Sequence, residues 1–137
     1  FLAVAGLNRL NMEDIITNAI STEEMLPAVA QGAIGIERRE NDIRIATMLE
    51  AIHNSKTGLL LSAERAFLEA LDGSCETPIA GLAELSNGNL RFRGEILRPD
   101  GSEVFSDEQL ASKEDATLMG VEMAKKLLNK AGSNFFL

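Results

Sequence analysis

The first part of the chain has short apolar runs separated by small and polar residues, and its periodicity is weak. The run FLAVAGL at 1–7 predicts a buried strand leading into a turn, and the run at 33–37 predicts a second strand. A short helix with Asn11 as its N-cap is expected within 11–20. From 41 to 52, apolar residues recur every three or four positions, which predicts a longer helix.

After a polar interruption the pattern becomes that of an α+β unit. Apolar residues from 59 to 71 form one helical stripe, and Gly73 is expected to end that helix in a left-handed conformation. The NG pair at 87–88 is a strong hairpin signal, so the runs on either side of it, 78–85 and 89–97, are predicted strands. Apolar and charged residues alternate in the second run, which indicates that this strand is half-buried.

The end of the chain adds a third strand and a helix. RPDG at 98–101 predicts a turn, and SEVFS at 102–106 predicts a short strand. Ser112 and Asp115 resemble a capping box that opens a helix running to Gly132, with Met119, Met123 and Leu127 on one apolar face. The chain is therefore predicted to hold a Gly-rich α/β piece followed by an α+β unit of three strands and two helices.

Composition narrows the class of protein. With 137 residues, 45% of them hydrophobic, the chain suits one modest domain or two small subdomains. A net charge of −8 argues against general nucleic-acid binding, which needs clustered Lys and Arg. No apolar run reaches the roughly 18 residues of a membrane span, and a single cysteine fits a reducing, cytoplasmic compartment. No Cys/His cluster suggests a metal. Two predicted strands cannot complete a stable N-terminal sheet, so the chain is expected to be a fragment.

The only cysteine, Cys75, lies in LDGSCETPIA, between a predicted helix and a predicted strand. An unpaired cysteine is most often a buried packing residue, but these polar, turn-forming neighbours favour an accessible thiol. A nucleophile would need a lowered thiol pKa and a base such as His53, and the acidic neighbours Asp72 and Glu76 oppose that. A covalent anchor needs access but no repeated activation. The residues alone leave all three roles open.

Four segments, in order, resemble the porphobilinogen deaminase (hydroxymethylbilane synthase) family. They are AVAGLNRL at 3–10, LPAVAQGAIGIERR at 26–39, AERAFLEALDGSCETPIAGLAEL at 63–85 and LRPDGS at 97–102. The third is the most specific, because its helix, glycine, cysteine, PI and alanine-rich strand rarely coincide in that order. There are three small departures: Ser74 replaces a second glycine, Glu76 a common glutamine, and Ala30 the first glycine of a common GQG. Arg39 and Arg65 match frequent arginine positions, and structural roles are expected for both.

The resemblance implies a three-domain enzyme of which this chain is the C-terminal part. Residues 1–27 would end the second domain, 28–53 would return to the first, and 54–137 would form the third, a three-stranded antiparallel sheet packed with helices. The missing N-terminal half is then a required partner, and the chain alone is expected to be inactive. The parent is expected to be a cytoplasmic monomer that binds neither nucleic acid nor membrane. A non-catalytic α+β interaction module and a cysteine hydrolase are the alternatives.

The resemblance also implies a chemistry. Family members join four porphobilinogen molecules head to tail, with release of ammonia, and free linear hydroxymethylbilane for tetrapyrrole (haem) biosynthesis. A dipyrromethane cofactor, attached by a thioether to the cysteine that corresponds to Cys75, primes the growing polypyrrole chain. Gln31 and Gly32 match residues near the cofactor, and Arg9 matches a substrate-binding arginine, suited to acetate and propionate groups. No catalytic residue and no metal site are expected within this chain.

Overall fold

The computed structural model follows the predicted order of elements in the second half of the chain and departs from it in the first. It describes residues 1–73, 77–132 and 135–136. The α-helices are α1 (Val4–Arg9), α2 (Ile43–Glu50), α3 (Ser55–Ala70) and α4 (Ala116–Ala131). The strands are β1 (Ile79–Ser86), β2 (Asn89–Leu97) and β3 (Val104–Ala111), and short 3₁₀ turns are formed by Glu13–Ile15 and Lys113–Asp115.

The three strands form one antiparallel sheet in the order β1-β2-β3. The predicted hairpin is confirmed: Asn87 and Gly88 have φ values of 51° and 83°, as a tight turn of type I′ requires. The third strand is longer than the predicted segment 102–106. Its pairing with β2 continues until Ala111 lies opposite Leu90, because the residues after the predicted end keep the alternating exposure of an edge strand.

The hydrophobic core lies between one face of the sheet and the helices α3 and α4. Phe67, Phe92 and Met123, from α3, β2 and α4, are fully buried. The rings of Phe67 and Phe92 meet edge to face with their centroids 5.2 Å apart. Gly94 of β2 allows this packing, since a Cβ there would lie 2.9 Å from both Met123 Cγ and Phe67 Cζ. The apolar stripes of both helices are thus confirmed as the core-facing sides.

The first part of the chain does not contain the two strands predicted there. Most of FLAVAGL belongs to helix α1, and its first six residues are all exposed. Residues 33–37 form no strand, and the helix expected within 11–20 is reduced to the turn Glu13–Ile15, with Asn11 at a φ of 52° instead of acting as its N-cap. A strand needs a neighbour for its backbone groups, whereas a helix bonds within itself, and the described residues offer these segments no neighbouring strand.

Helix α3 ends one residue earlier than the sequence predicts. The left-handed residue is Asp72, with a φ of 51°, and Gly73 is not in that region. The Gly73 N–H donates to the Leu68 carbonyl and the Asp72 N–H to the Glu69 carbonyl, both at 3.0 Å, which is the Schellman pattern. Gly73 is needed for space: a Cβ there would lie 2.6 Å from the terminal methyl groups of Leu68 and Ile79. The end of α3 is therefore packed directly against the start of β1.

Helix α4 begins without the predicted capping box. The Ser112 hydroxyl bonds the Glu114 carboxylate rather than a backbone N–H, and a 3₁₀ turn precedes the helix. Further along, α4 crosses α3 at Gly120, where a Cβ would lie 2.1 Å from the Ala63 carbonyl oxygen. The helix ends at Gly132, with a φ of 90°. Over the described ranges, no helix combines the length and apolar content that crossing a membrane requires.

Beyond α4, the chain returns to the turn between β2 and β3. Phe135 is fully buried and meets Phe105 and Phe136 edge to face, with centroid distances of 5.4 and 5.3 Å. The Arg98 guanidinium lies 5.1 Å from the Phe135 ring centroid. This aromatic cluster ties the end of the described chain to the sheet.

Candidate functional site

Residues 22–30, called the strap below, run from the outer face of the sheet, opposite the core, past the free edge of β1 to helix α3. One end of the strap is held by Arg93 of β2, which is only 7% exposed. Its Nη1 donates to the Thr22 carbonyl at 2.9 Å, and its Nη2 donates to the Glu84 carboxylate at 2.8 Å. A buried guanidinium is costly unless it is paired and hydrogen-bonded, so these contacts make the Thr22 end of the strap a defined position.

A second, half-buried arginine joins the strap to the sheet. Arg91 donates from Nη1 to the Glu23 carboxylate at 2.9 Å. Its Nε and Nη2 donate to the two carboxylate oxygens of Glu108 in β3, at 2.9 and 2.8 Å. These bonds lower the pKa of the Glu23 and Glu108 carboxyls and raise the pKa of Arg91. Exposed pairs contribute little individually, so Arg91 supports the strap while Arg93 fixes it.

The middle of the strap pairs with the free edge of β1. The Gly81 N–H donates to the Pro27 carbonyl at 3.1 Å, and Ala28 forms an antiparallel bridge with Ala80. The strap therefore pairs with the edge of the sheet through one isolated bridge and satisfies an edge donor that would otherwise face solvent.

The other end of the strap is held by Glu64, a carboxylate on the core-facing side of α3. Glu64 is 6% exposed. One of its oxygens accepts the Ala30 N–H at 2.7 Å, and the other accepts the Ala83 N–H of β1 at 3.0 Å. Because its two oxygens accept from two different segments, this single side chain joins the strap, α3 and β1.

Gln31 and Gly32 form the exposed turn that follows the strap. The turn is closed by the Ala33 N–H, which donates to the Ala30 carbonyl at 3.1 Å, and Ala30 and Gly32 have φ values of 61° and 81°. Both Gln31 and Gly32 line an open cleft of about 240 Å³ against α3 and β1. A Cβ at Gly32 would meet nothing within 4 Å. Glycine is favoured there by the backbone conformation, and no described residue fills the space beside it.

A larger cleft of about 470 Å³ continues from Gly32 toward the start of α3. Its lining is mainly apolar and includes Ile34 and Ile52, which are 93% and 67% exposed. His53 also lines it and packs over the first turn of α3, where a Cβ on Gly58 would lie 2.8 Å from His53 Cε1. The turn with Gln31 and Gly32 thus lies beside a broad, open apolar surface.

Cys75 lies outside the described residues, and so do Ser74 and Glu76, so the structure does not test its pairing with His53. The described residues on either side of it are firmly placed. Gly73 contacts Ile79, and the Pro78 carbonyl accepts the Leu97 N–H at 3.0 Å. The segment with the cysteine therefore leaves α3 and enters β1 at two fixed points.

The arginines singled out from the sequence lie on the surface. Arg9 is in the last turn of α1, and no hydrogen bond or ion pair between described residues joins it to Gln31 or Gly32. Arg39 and Arg65 are also exposed. No group of three or more His, Cys, Asp and Glu residues suited to a metal occurs in the part of the chain that the structure describes.

Glu64 and Arg93 are the residues that sequence reasoning missed. Glu64 falls next to Ala63 on the apolar stripe of α3, and an acidic residue at that place in the pattern is the signal that could have found it. Arg93 alternates with apolar neighbours in β2 and gave the pattern of an ordinary solvent-facing residue. Its burial depends on the strap, which no local pattern predicts.

Two protein-family models match this chain, one in each part of it. The family model described as porphobilinogen deaminase, C-terminal domain, matches residues 59–129, which contain the sheet and most of helices α3 and α4. The model described as porphobilinogen deaminase, dipyromethane cofactor binding domain, matches residues 1–47, which contain the strap and the turn with Gln31 and Gly32. The chain belongs to the porphobilinogen deaminase family, and the resemblance read from the four sequence segments is confirmed.

Curated relatives extend well beyond this chain. Porphobilinogen deaminase of Paracoccus denitrificans is 54% identical over 136 residues, which are 99% of this chain and 44% of the relative. The protein of that name from Nitrobacter hamburgensis is 46% identical over 135 residues, 98% of this chain and 43% of the relative. Chloroplastic porphobilinogen deaminase of Pisum sativum is 48% identical over 138 residues, 98% of this chain and 37% of the relative. The chain spans less than half the length of these relatives.

Proposed function

We propose that this chain is the C-terminal part of a porphobilinogen deaminase, a transferase that joins four porphobilinogen molecules into hydroxymethylbilane with release of ammonia. The supporting observation is that the two family matches lie within 1–47 and 59–129, while the chain spans under half of each relative. The remaining half of the enzyme is then its partner, and the 137-residue chain alone is inactive. The parent acts as a monomer in tetrapyrrole biosynthesis, in the cytoplasm, where a single unpaired cysteine stays reduced.

In this proposal each part of the chain belongs to a different domain of the parent. Residues 1–27 end the second domain, residues 28–53 return to the first, and residues 54–137 form the third. The wide apolar cleft beside the turn with Gln31 and Gly32 supports this division, because its exposed isoleucines are of the kind that pack against another domain.

Cys75 holds the dipyrromethane cofactor through a thioether. When bound, dipyrromethane supplies a free pyrrole α-carbon as the nucleophile to which porphobilinogen units are added. The Cys75 sulfur takes no part in that addition, since a thioether has no proton to lose and is a poor leaving group. The packing at Gly73 and the hydrogen bond at Pro78 support a tether that is joined to the domain on both sides.

Gln31, Gly32 and Arg9 bind the acidic groups of the pyrroles. The Gln31 side-chain amide and the Gly32 N–H are donors of the kind that acetate and propionate carboxylates accept, and the space beside Gly32 is open. Arg9, exposed on α1, supplies a planar fork that suits a carboxylate of porphobilinogen. The residues present therefore fit a polyanionic pyrrole chain, although the net charge is −8.

A chimera tests the proposal directly. The 136 matching residues of the Paracoccus denitrificans relative are replaced by this chain, and the product is examined by intact-mass spectrometry and by turnover of porphobilinogen. We expect the chimera to be active and to carry the added mass of one dipyrromethane. Cys75→Ser should lose both the mass and the activity, while Glu76→Gln, a change in the same segment, should keep both.

Two results would overturn the proposal. The first is an active chimera whose Cys75 carries no added mass, which would remove the tether. The second is turnover of porphobilinogen by the 137-residue chain alone, which would show that no partner half is needed. A chimera that folds, is unmodified and is inactive would instead support the non-catalytic interaction module.

A further inference from the structure

The strap is held at its two ends by side chains of different character. At the Thr22 end, Arg93 is supported by its own carboxylate partner, Glu84. At the Ala30 end, the two oxygens of Glu64 accept two backbone N–H groups, from Ala30 and Ala83. Removing Glu64 would leave the contacts of Arg93 in place, so its effect should be local to one end of the strap.

Glu64 is poorly explained as a packing residue. A buried carboxylate is costly, and an apolar side chain of the same size at this place would leave the N–H groups of Ala30 and Ala83 without an acceptor. The two donors are also far apart in the chain, 34 residues before and 19 residues after Glu64. A residue that only filled the core would not need two acceptor atoms aimed at separate segments.

The turn held by Glu64 is conformationally strained at its first residue. Ala30 has a φ of 61°, in the left-handed region that non-glycine residues seldom occupy. Its N–H is the group that Glu64 binds at 2.7 Å, and Gln31 and Gly32 follow directly. The carboxylate therefore holds the turn in a conformation that the local sequence alone does not favour.

We infer that Glu64 is a positioning residue, which sets Gln31 and Gly32 at a fixed place relative to β1, the strand that the Cys75 segment enters. Glu64 thereby joins the turn with Gln31 and Gly32, which is proposed to bind the cofactor, to β1 through two hydrogen bonds. This role rests on the proposed function of those residues, whereas the coupling itself rests on the two hydrogen bonds alone.

The coupling is tested in the 137-residue chain by amide spectroscopy. Glu64→Gln keeps the size of the side chain but offers only one acceptor oxygen, so at least one of the Ala30 and Ala83 amide protons should shift upfield and exchange at least tenfold faster. The amide of Phe92 in the core should exchange at an unchanged rate. Glu69→Gln, on an exposed position of the same helix, is the matched control and should leave all three amides unchanged.

A merely structural role would give a different pattern. If Glu64 served only global stability, all three amides of the Glu64→Gln variant would exchange faster by the same factor, and that result overturns the inference. Unchanged amides at both Ala30 and Ala83 overturn it as well. If Glu64→Gln does not fold, Glu64→Asp is used, because it keeps the charge but is one methylene too short to reach both donors.

The effect on the site is tested in the chimera. With Glu64→Gln, we expect the fraction of molecules carrying dipyrromethane to fall by at least half, while Glu69→Gln leaves it unchanged. Full retention of the cofactor, in a variant whose Ala30 amide is loosened, overturns the positioning role. Failure of the proposed function is recognised separately, because it is decided by Cys75→Ser and does not alter the amide results.

Discussion

Replacing Gly120 of α4 with alanine should push α4 away from α3 and destabilise the C-terminal domain. A Cβ at this position would lie 2.1 Å from the Ala63 carbonyl oxygen and 2.9 Å from the Phe67 backbone nitrogen. Both of these atoms belong to the backbone of α3, so no side chain can rotate out of the way. The helices would have to separate by about 1 Å, which opens the packing around Phe67.

The size of the effect follows from two opposing contributions. Alanine favours a helix over glycine by about 1 kcal/mol, which would stabilise the variant. Overpacking of a tight core costs about 1–3 kcal/mol, and a clash between two backbones belongs at the upper end of that range. We therefore expect a net loss of about 2 kcal/mol, which lowers the melting temperature of a domain of this size by roughly 10 °C.

A second glycine provides the control. Gly58 also lies inside a helix, but the Cβ of an alanine there would meet the His53 ring at 2.8 Å, and His53 is an exposed side chain that can move. Gly58→Ala should therefore benefit from the higher helix propensity of alanine without a backbone clash, and its melting temperature should rise. Thermal unfolding followed by circular dichroism at 222 nm measures both variants. A Gly120→Ala variant that melts at or above the temperature of the unsubstituted chain would refute the close crossing of α3 and α4.

Three further predictions concern the strap, the end of the chain and pH. Ala30→Gly should relieve the left-handed backbone and raise the urea midpoint by a small amount, corresponding to about 0.5 kcal/mol, and a lowered midpoint would contradict the strain. Phe135→Ala should cost about 3 kcal/mol in urea unfolding, since the ring is fully buried, and a loss under about 1 kcal/mol would contradict its packing. Hydrogen bonds from Lys130 and Lys126 lower the pKa of Asp107 to about 2. A carboxyl whose pKa is lower in the folded state than its unfolded value of about 3.9 adds stability above that value and loses it as pH falls toward 2, so Asp107→Asn should flatten the decline of melting temperature between about pH 4 and pH 2.

The elements that sequence reasoning predicted well are those specified by local signals. The NG turn at 87–88 needs only two residues with positive φ, and the stripes of α3 and α4 need only a helical period. The two strands expected at 1–7 and 33–37 failed because an apolar run does not show whether a partner strand exists. The end of α3 shows a finer limit: Gly73 was chosen for its freedom of φ, but it is required by the methyl groups of Leu68 and Ile79.

The residues of the candidate site also differ in how far the sequence could predict them. Gln31, Gly32, Arg9 and Cys75 came from the family resemblance and not from any physical pattern, and their roles stay predictions. Glu64 escaped both routes, because its partners are backbone N–H groups at the far ends of long sequence separations. The acidic residue type at that place on the apolar stripe indicates that Glu64 needs partners, but nothing in the sequence shows which backbone N–H groups those partners are.

The strap also determines which edge of the sheet is free to pair with a strand of another chain. A sheet is extended only at a strand whose edge N–H and C=O groups are unpaired. At the β1 edge, the N–H groups of Gly81 and Ala83 are bonded to Pro27 and Glu64. This leaves β3 as the side from which the described sheet can grow. There, Asp107 and Glu108 lie in mid-strand and are tied to cations of their own domain, so a second chain pairing with β3 would have to desolvate these ion pairs, and edge-to-edge association is disfavoured.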